Sequence, residues 1–252
     1  MLQFPRHREE PSEDPLEMRA GERRLADCVR ESSSEIPRVV RDVARFAIEE
    51  DSMLAKIWFK TFTPRSAFDA GGYYEISEDP HGNPFVTICI SEGESQALAP
   101  LLHLRRRAVE INAEMLGIAP EQMTPELFHA FIVAHELGHA TDFLRNYQSD
   151  PTVSGWEGSE EMAMHRREIL KTLPAGNVPP GDLAEILSGM HSLDAALSLY
   201  PGLKKHPRFY EIKTIEDLLA IQEEEYRASE PERYADAFAA RLLKKHAKEI
   251  GF

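Results

Sequence analysis

Thr124-Pro125-Glu126-Leu127-Phe128-His129-Ala130-Phe131-Ile132-Val133-Ala134-His135-Glu136-Leu137-Gly138-His139 is the stretch on which the reading of this chain turns. It opens like a helix, with a threonine cap, a proline at the first helical position and an acid in the first turn. The spacing predicts a helix from Leu127 to about Tyr147. Leu127–Ala134 is almost wholly apolar, which predicts that this helix is buried. His135 and His139 fall at i and i+4, one turn apart on the same face, so both rings can reach one cation. Neutral imidazole nitrogen suits Zn²⁺ at about 2.0–2.1 Å. Glu136 projects beside that position, where it can take a proton from a water.

Chance alone would place His, Glu and His in such a five-residue window in roughly one chain of this composition in twenty, so the surroundings decide. Two histidines and a glutamate in a buried helix cost several kcal/mol unless paired or metal-bound. Gly138 in mid-helix costs about 1 kcal/mol relative to alanine, and fits a site that another backbone or a substrate approaches closely.

A third ligand is sought downstream. Glu232-Arg233-Tyr234-Ala235-Asp236 begins the last long helix, with Glu232 and Asp236 on one face. Glu232 there can close a His-His-Glu site for one zinc ion per chain, and Asp236 can accept the other ring N–H of a ligating histidine. A purely local alternative is that Ser229-x-x-Glu232 forms a capping box. Capping leaves unexplained Asp236 and the small residues Ala235, Ala237, Ala239 and Ala240, which suit close helix approach. A rival lies nearer, in Glu157, Glu160 and Glu161. Asp142, one turn after His139, reads either as a supporting acceptor or as an exposed helix acid. A third ligating histidine would have to stand at position 145, where the chain has Arg145. Donors for a developing oxyanion are sought among Tyr234, Tyr226, His206 and Tyr210.

Around this segment the chain reads as mostly helical. Apolar spacing predicts a helix near Leu16–Arg30 and another from about Pro37 to Phe59. Tyr73–Ser77 and Phe85–Ser91 read as strands of an antiparallel hairpin, with Glu-Asp-Pro-His-Gly-Asn-Pro as the turn. Ser95–Leu116 reads as one amphipathic helix stopped by Gly117. Further helices are expected near Leu183–Leu199, Thr214–Tyr226 and Glu230–Lys248. Residues 1–15, charged and proline-broken, read as a tail. Residues 16–252 read as a single α+β domain with a helical insert at about 148–213.

The 252 residues carry 29 Lys+Arg against 43 Asp+Glu, a formal net charge of −14. That balance argues against nucleic acid as a partner, since binding there rests on a basic face. No window approaches the ~18 uncharged apolar residues of a membrane span, and the N-terminus lacks the apolar core of a signal peptide. Cys28 and Cys89 are too few for a disulfide framework and read as reduced thiols of a cytoplasmic protein.

Ala-His-Glu-Leu-Gly-His at 134–139 together with Glu-Arg-Tyr-Ala-Asp-Ala-Phe-Ala at 232–239 resembles the gluzincin metallopeptidases. Among them it looks most like the family of the CAAX prenyl proteases and the HtpX heat-shock protease, whose motifs are H-E-x-G-H and a later E-x-x-A-D. The resemblance implies a zincin-like fold, zinc on His135, His139 and Glu232, Glu136 as general base, Asp236 as supporting acid, and Phe85–Ser91 as the edge strand along which an extended peptide lies. It covers about twenty positions, and those members are membrane-embedded. The soluble ImmA/IrrE-type peptidases, with H-E-x-G-H and E-A-N-x-F-A, are less similar, because position 234 is Tyr where they carry Glu. Glu160 and Glu161 follow His139 by 21 and 22 positions, a spacing that thermolysin-like enzymes use for their ligand glutamate. The expected activity is zinc-dependent hydrolysis of a peptide or protein substrate. The alternative is a zinc-binding regulatory or interaction module with little or no turnover.

Overall fold

Helix caps and breakers divide the chain into short elements. The computed structural model describes residues 23–30, 36–62, 71–78, 84–91, 94–147, 155–190 and 192–251, with backbone alone at 23, 77, 78, 84, 85, 104, 147 and 155–162. The expected tail, residues 1–15, lies outside the described residues. In chain order the elements are β1 (Arg23–Arg24), α1 (Leu25–Arg30), α2 (Arg38–Glu50), β2 (Trp58–Phe62), β3 (Gly72–Glu78), β4 (Pro84–Ser91), α3 (Ala99–Leu104), α4 (Arg106–Leu116) and α5 (Pro125–Asp142). There follow α6 (Gly155–Thr172), α7 (Pro180–Leu187), α8 (Leu193–Leu199), α9 (Ile215–Arg227), α10 (Glu230–Lys245) and α11 (Ala247–Ile250). Among the described residues the architecture is α+β: mostly helical, with one small sheet.

Helix α5 is buried on nearly every side, as its apolar run predicted, and touches α2, α10 and strands β3 and β4. Thr124 accepts a hydrogen bond from the Leu127 N–H and caps its start. Phe128, Phe131 and Leu137 of α5 meet Val43 and Phe46 of α2, Ile88 and Ile90 of β4, and Phe238 and Leu242 of α10 in the main core. A second cluster of buried residues, Ala175, Leu183, Leu187, Ala196, Leu203, Ile212, Leu218 and Ile221, lies around α7–α9.

The sheet corrects two expectations. Strands β3 and β4 pair antiparallel, with Tyr74 opposite Ile88, but β2 lies parallel to β4, so the sheet is mixed and not antiparallel throughout. The strand order β1-β2-β4-β3 makes β4 internal, so Phe85–Ser91 is not the edge strand. The reason is legible in its side chains: Val86 through Ser91 are all buried, the pattern of a strand covered on both faces. The outermost strand on the α5 side of the described sheet is β3.

Several helices are also shorter than their periodicity suggested. The Pro37–Phe59 segment ends as α2 at Glu50, where Asp51 accepts from the Met53 N–H and starts a 3-10 turn, Ser52–Lys56. Trp58 and Phe59 then enter β2, where aromatic residues fit a half-buried pleat. The Ser95–Leu116 segment breaks at Arg105, whose backbone leaves helical values while its side chain reaches Glu223. Leu183–Leu199 divides into α7 and α8, the latter capped by Ser192. Gly117 does stop α4, in the left-handed conformation that glycine adopts without strain.

Helices α5 and α10 cross with their backbones in near contact. A Cβ placed on Gly138 would stand 2.7 Å from the Ala235 Cα, 3.0 Å from the Ala235 carbonyl oxygen and 3.2 Å from the Phe238 Cβ. Backbone cannot yield as a flexible side chain would. Gly138→Ala is therefore expected to destabilise the protein by about 1–3 kcal/mol in thermal or denaturant unfolding, although alanine is the better helix former. A neutral or stabilising result would show that the two backbones do not meet there.

A second prediction concerns His129, buried on α5 with its Nδ1 3.0 Å from Ser95 Oγ. Burial lowers its pKa to about 4. Between pH 6.5 and 4 the unfolded chain binds this proton while the folded chain refuses it, so stability falls as pH falls through that window, by at most about 3 kcal/mol. His129→Asn should flatten this limb of the stability profile relative to the parent; an unchanged limb would show that His129 titrates normally.

Candidate metal centre

His135, Glu136 and His139 leave one stretch of α5 towards a cavity of about 330 Å³. The third group arrives from α10, whose first turn lies beside them because Gly138 lets Ala235 approach. The capping-box alternative is not realised, since the Ser229 side chain makes no cap hydrogen bond. The Glu232 carboxylate turns to the histidines instead, Oε2 lying 3.2 Å from His135 Nε2 and Oε1 3.4 Å from His139 Nε2. The two Nε2 atoms are 3.1 Å apart. All three donor groups fall within 4.8 Å of one another and could hold a metal ion. Tetrahedral bonds of 2.0–2.1 Å require donor separations of about 3.3–3.4 Å, close to those seen here.

The donor chemistry also fits a cation. Asp236 Oδ1 accepts from His135 Nδ1 at 2.8 Å, which leaves Nε2 to present a lone pair. That lone pair and the carboxylate oxygens of Glu232 converge, an arrangement that positive charge relieves. Burial opposes a charged ring at His135, yet hydrogen bonds to Asp236 and Glu232 raise its pKa to about 10. The acceptors that suit a cation thus also hold a proton on Nε2, which a metal ion would have to displace to reach the lone pair. Burial likewise opposes ionisation of Glu232, but His139 and His135 hold its carboxyl well below the usual range. Asp236, also buried, is held low chiefly by Arg227 and His135.

The remaining walls come from several elements. Tyr74 on β3 stacks on the His139 ring with centroids 4.7 Å apart and planes at 28°. Burial keeps the Tyr74 hydroxyl protonated far above the ordinary phenol range. Tyr226 at the end of α9 is held neutral by burial and by Glu232, with which it hydrogen-bonds. Arg166 of α6 and the segment Pro179-Pro180-Gly181-Asp182 also line the cavity. The chain leading into that segment is held by buried Gln222, which accepts from the Ala175 N–H at 2.9 Å and donates to the Val178 carbonyl at 2.6 Å.

Other expected residues are placed elsewhere. Tyr234, expected as an oxyanion donor, is not among the residues lining the cavity; Tyr226 is. His206 pairs with Glu225 at 3.0 Å, and Tyr210 is 71% exposed. Asp142 is buried and accepts from Asn146, so it is not an exposed helix acid. Glu157, Glu160 and Glu161 fall on α6, but their side chains lie outside the described residues. Tyr74, Arg166 and Arg227 escaped the sequence reading because nothing local ties them to the histidines: Tyr74 reads as part of a strand, Arg166 falls in a stretch of weak pattern, and Arg227 lies just past an expected helix end.

Comparisons with models of protein families, with curated proteins and with solved structures found no match to this chain. Fold and site together define an α+β protein with a His-His-Glu group able to hold a metal ion, and no helix among the described residues is long and apolar enough to cross a membrane.

Glu232→Ala is expected to lose bound metal in elemental analysis of purified protein while His135 and His139 remain. Unchanged metal content in that variant would transfer the ligand role to Glu160 or Glu161.

Proposed function

We propose that this chain is a zinc-dependent metallopeptidase of gluzincin type, built on a zincin-like fold, that hydrolyses peptide bonds of a peptide or protein substrate. The observation carrying the proposal is the placement of Glu136 beside a His135-His139-Glu232 group, all four lining one cavity. We take it to act in the cytoplasm, the compartment suggested by a sequence whose two cysteines are too few for a disulfide framework.

Zinc held by His135, His139 and Glu232 would supply Lewis-acid activation of a water and of the scissile carbonyl. The protein's own groups do the rest. Glu136 accepts a proton from the attacking water as the new C–O bond forms, then passes it to the nitrogen as the C–N bond breaks. Asp236 keeps the His135 Nδ1–H oriented and its Nε2 turned to the site. Charge developing on the carbonyl oxygen needs donors aimed at it. Among the donors on the cavity wall are the neutral hydroxyl of Tyr74 and the guanidinium of Arg166, while the single O–H of Tyr226 is engaged by Glu232 and would have to leave it to take part. Pro179, Pro180 and Gly181 complete the lining with largely apolar surface.

Glu136→Gln separates binding from chemistry. The variant is expected to keep about one zinc per chain and to lose hydrolysis of an unstructured protein substrate by ~10²-fold or more. The parent's activity should vanish with a chelator and return with zinc. Full hydrolysis by Glu136→Gln would remove Glu136 from the mechanism, and zinc-replete parent protein without turnover would favour a binding module.

A further inference from the structure

We infer that Arg227 is a positioning residue for the metal centre, holding Asp236 so that His135 presents Nε2 to the ion; this rests on the metal-site reading above. Asp236 is only 3% exposed, and a carboxylate so placed needs both charge and hydrogen-bond partners. Arg227 supplies them: its Nη1 lies 2.7 Å from Oδ1 and 2.9 Å from Oδ2 of Asp236. Oδ1 is the same oxygen that His135 Nδ1 meets at 2.8 Å. Two donors on one oxygen fix the carboxylate plane, and that plane fixes the rotation of the imidazole.

Arg227 is itself held from three sides. Its Nε donates to Glu223 at 2.6 Å, and its Nη1 also reaches Asn112 Oδ1 at 2.9 Å. Glu223 is in turn bound through both oxygens by Arg105 Nη2, at 2.9 and 3.0 Å. The guanidinium thus cannot swing away without breaking contacts to α4 and to its own helix α9. A rigid planar fork suits this work better than the single point charge of a lysine. The same contacts would serve equally well as a clamp between α4, α9 and α10 with no bearing on metal, so the test must separate the two roles.

The test is a thermodynamic cycle on zinc affinity, measured on the full chain by competition with a chromophoric chelator, using Arg227→Met, Asp236→Asn and the double variant. If Arg227 acts through Asp236, each single change weakens zinc binding by ~10–100-fold and the double variant binds no more weakly than Asp236→Asn alone. Arg227→Lys should recover part of the loss. The inference is overturned if Arg227→Met binds zinc as tightly as the parent, or if the two losses multiply in the double variant, as independent sites would make them. Should methionine at 227 prevent folding, judged by circular dichroism, Arg227→Gln takes its place in the cycle with the same expectations. A parent that takes up no zinc would instead overturn the metal-site reading, and this inference with it.

Discussion

The contact between Gly138 and Ala235 governs the rest of the site. Two helix backbones meet there with no room for a methyl group on the α5 side. Glu232 precedes Ala235 by less than one turn and Asp236 follows it directly, so the crossing that seats Ala235 also sets where both carboxylates fall relative to His135 and His139. The α10 face that makes the approach is buried and rich in small residues, with Ala235, Ala239 and Ala240 beside Phe238 and Leu242. Apolar packing holds the helices together, and the polar groups ride on that packing.

Bringing acids into such a place is costly. Glu136, Glu223, Glu232 and Asp236 are all buried in or beside the site. Each unpaired charge there would cost several kcal/mol, more than a marginally stable fold tolerates many times over. The structure answers with a chain of alternating charge, from Arg105 to Glu223, Arg227, Asp236 and His135. At the end of that chain the histidine nitrogens and the Glu232 carboxylate converge into a group that could hold a metal ion. These groups stand on helices and not on loops, the placement that holds a constellation of side chains most closely.

Much of this was legible in residue order, and the failures are instructive. The cap at Thr124, the burial of α5, the stop at Gly117 and the β3–β4 pairing all follow from local chemistry. The strand Trp58–Phe62 did not, because Leu54, Ile57 and Trp58 satisfy helical spacing as well as a turn followed by a strand. Only the partner strand β4 chooses between them. Equally, no local pattern says that Phe85–Ser91 is central, since that depends on β2 reaching its far side. The role of Arg105 in breaking a helix, and of Arg227 in holding Asp236, depends on partners more than a hundred residues apart or on separate helices.

By itself, then, the sequence determined the helix that carries His135, Glu136 and His139, and the requirement that something approach Gly138. Those are properties of a 3.6-residue period and of a missing Cβ, and they hold wherever the helix lies. Only the tertiary structure decided what approaches, namely Ala235, and with it that Glu232 turns towards the histidines although a local capping box was open to it. A carboxylate's direction is set by the strongest field it can reach. That field comes from α5, brought to Glu232 by folding across the ninety-two residues that separate it from His139.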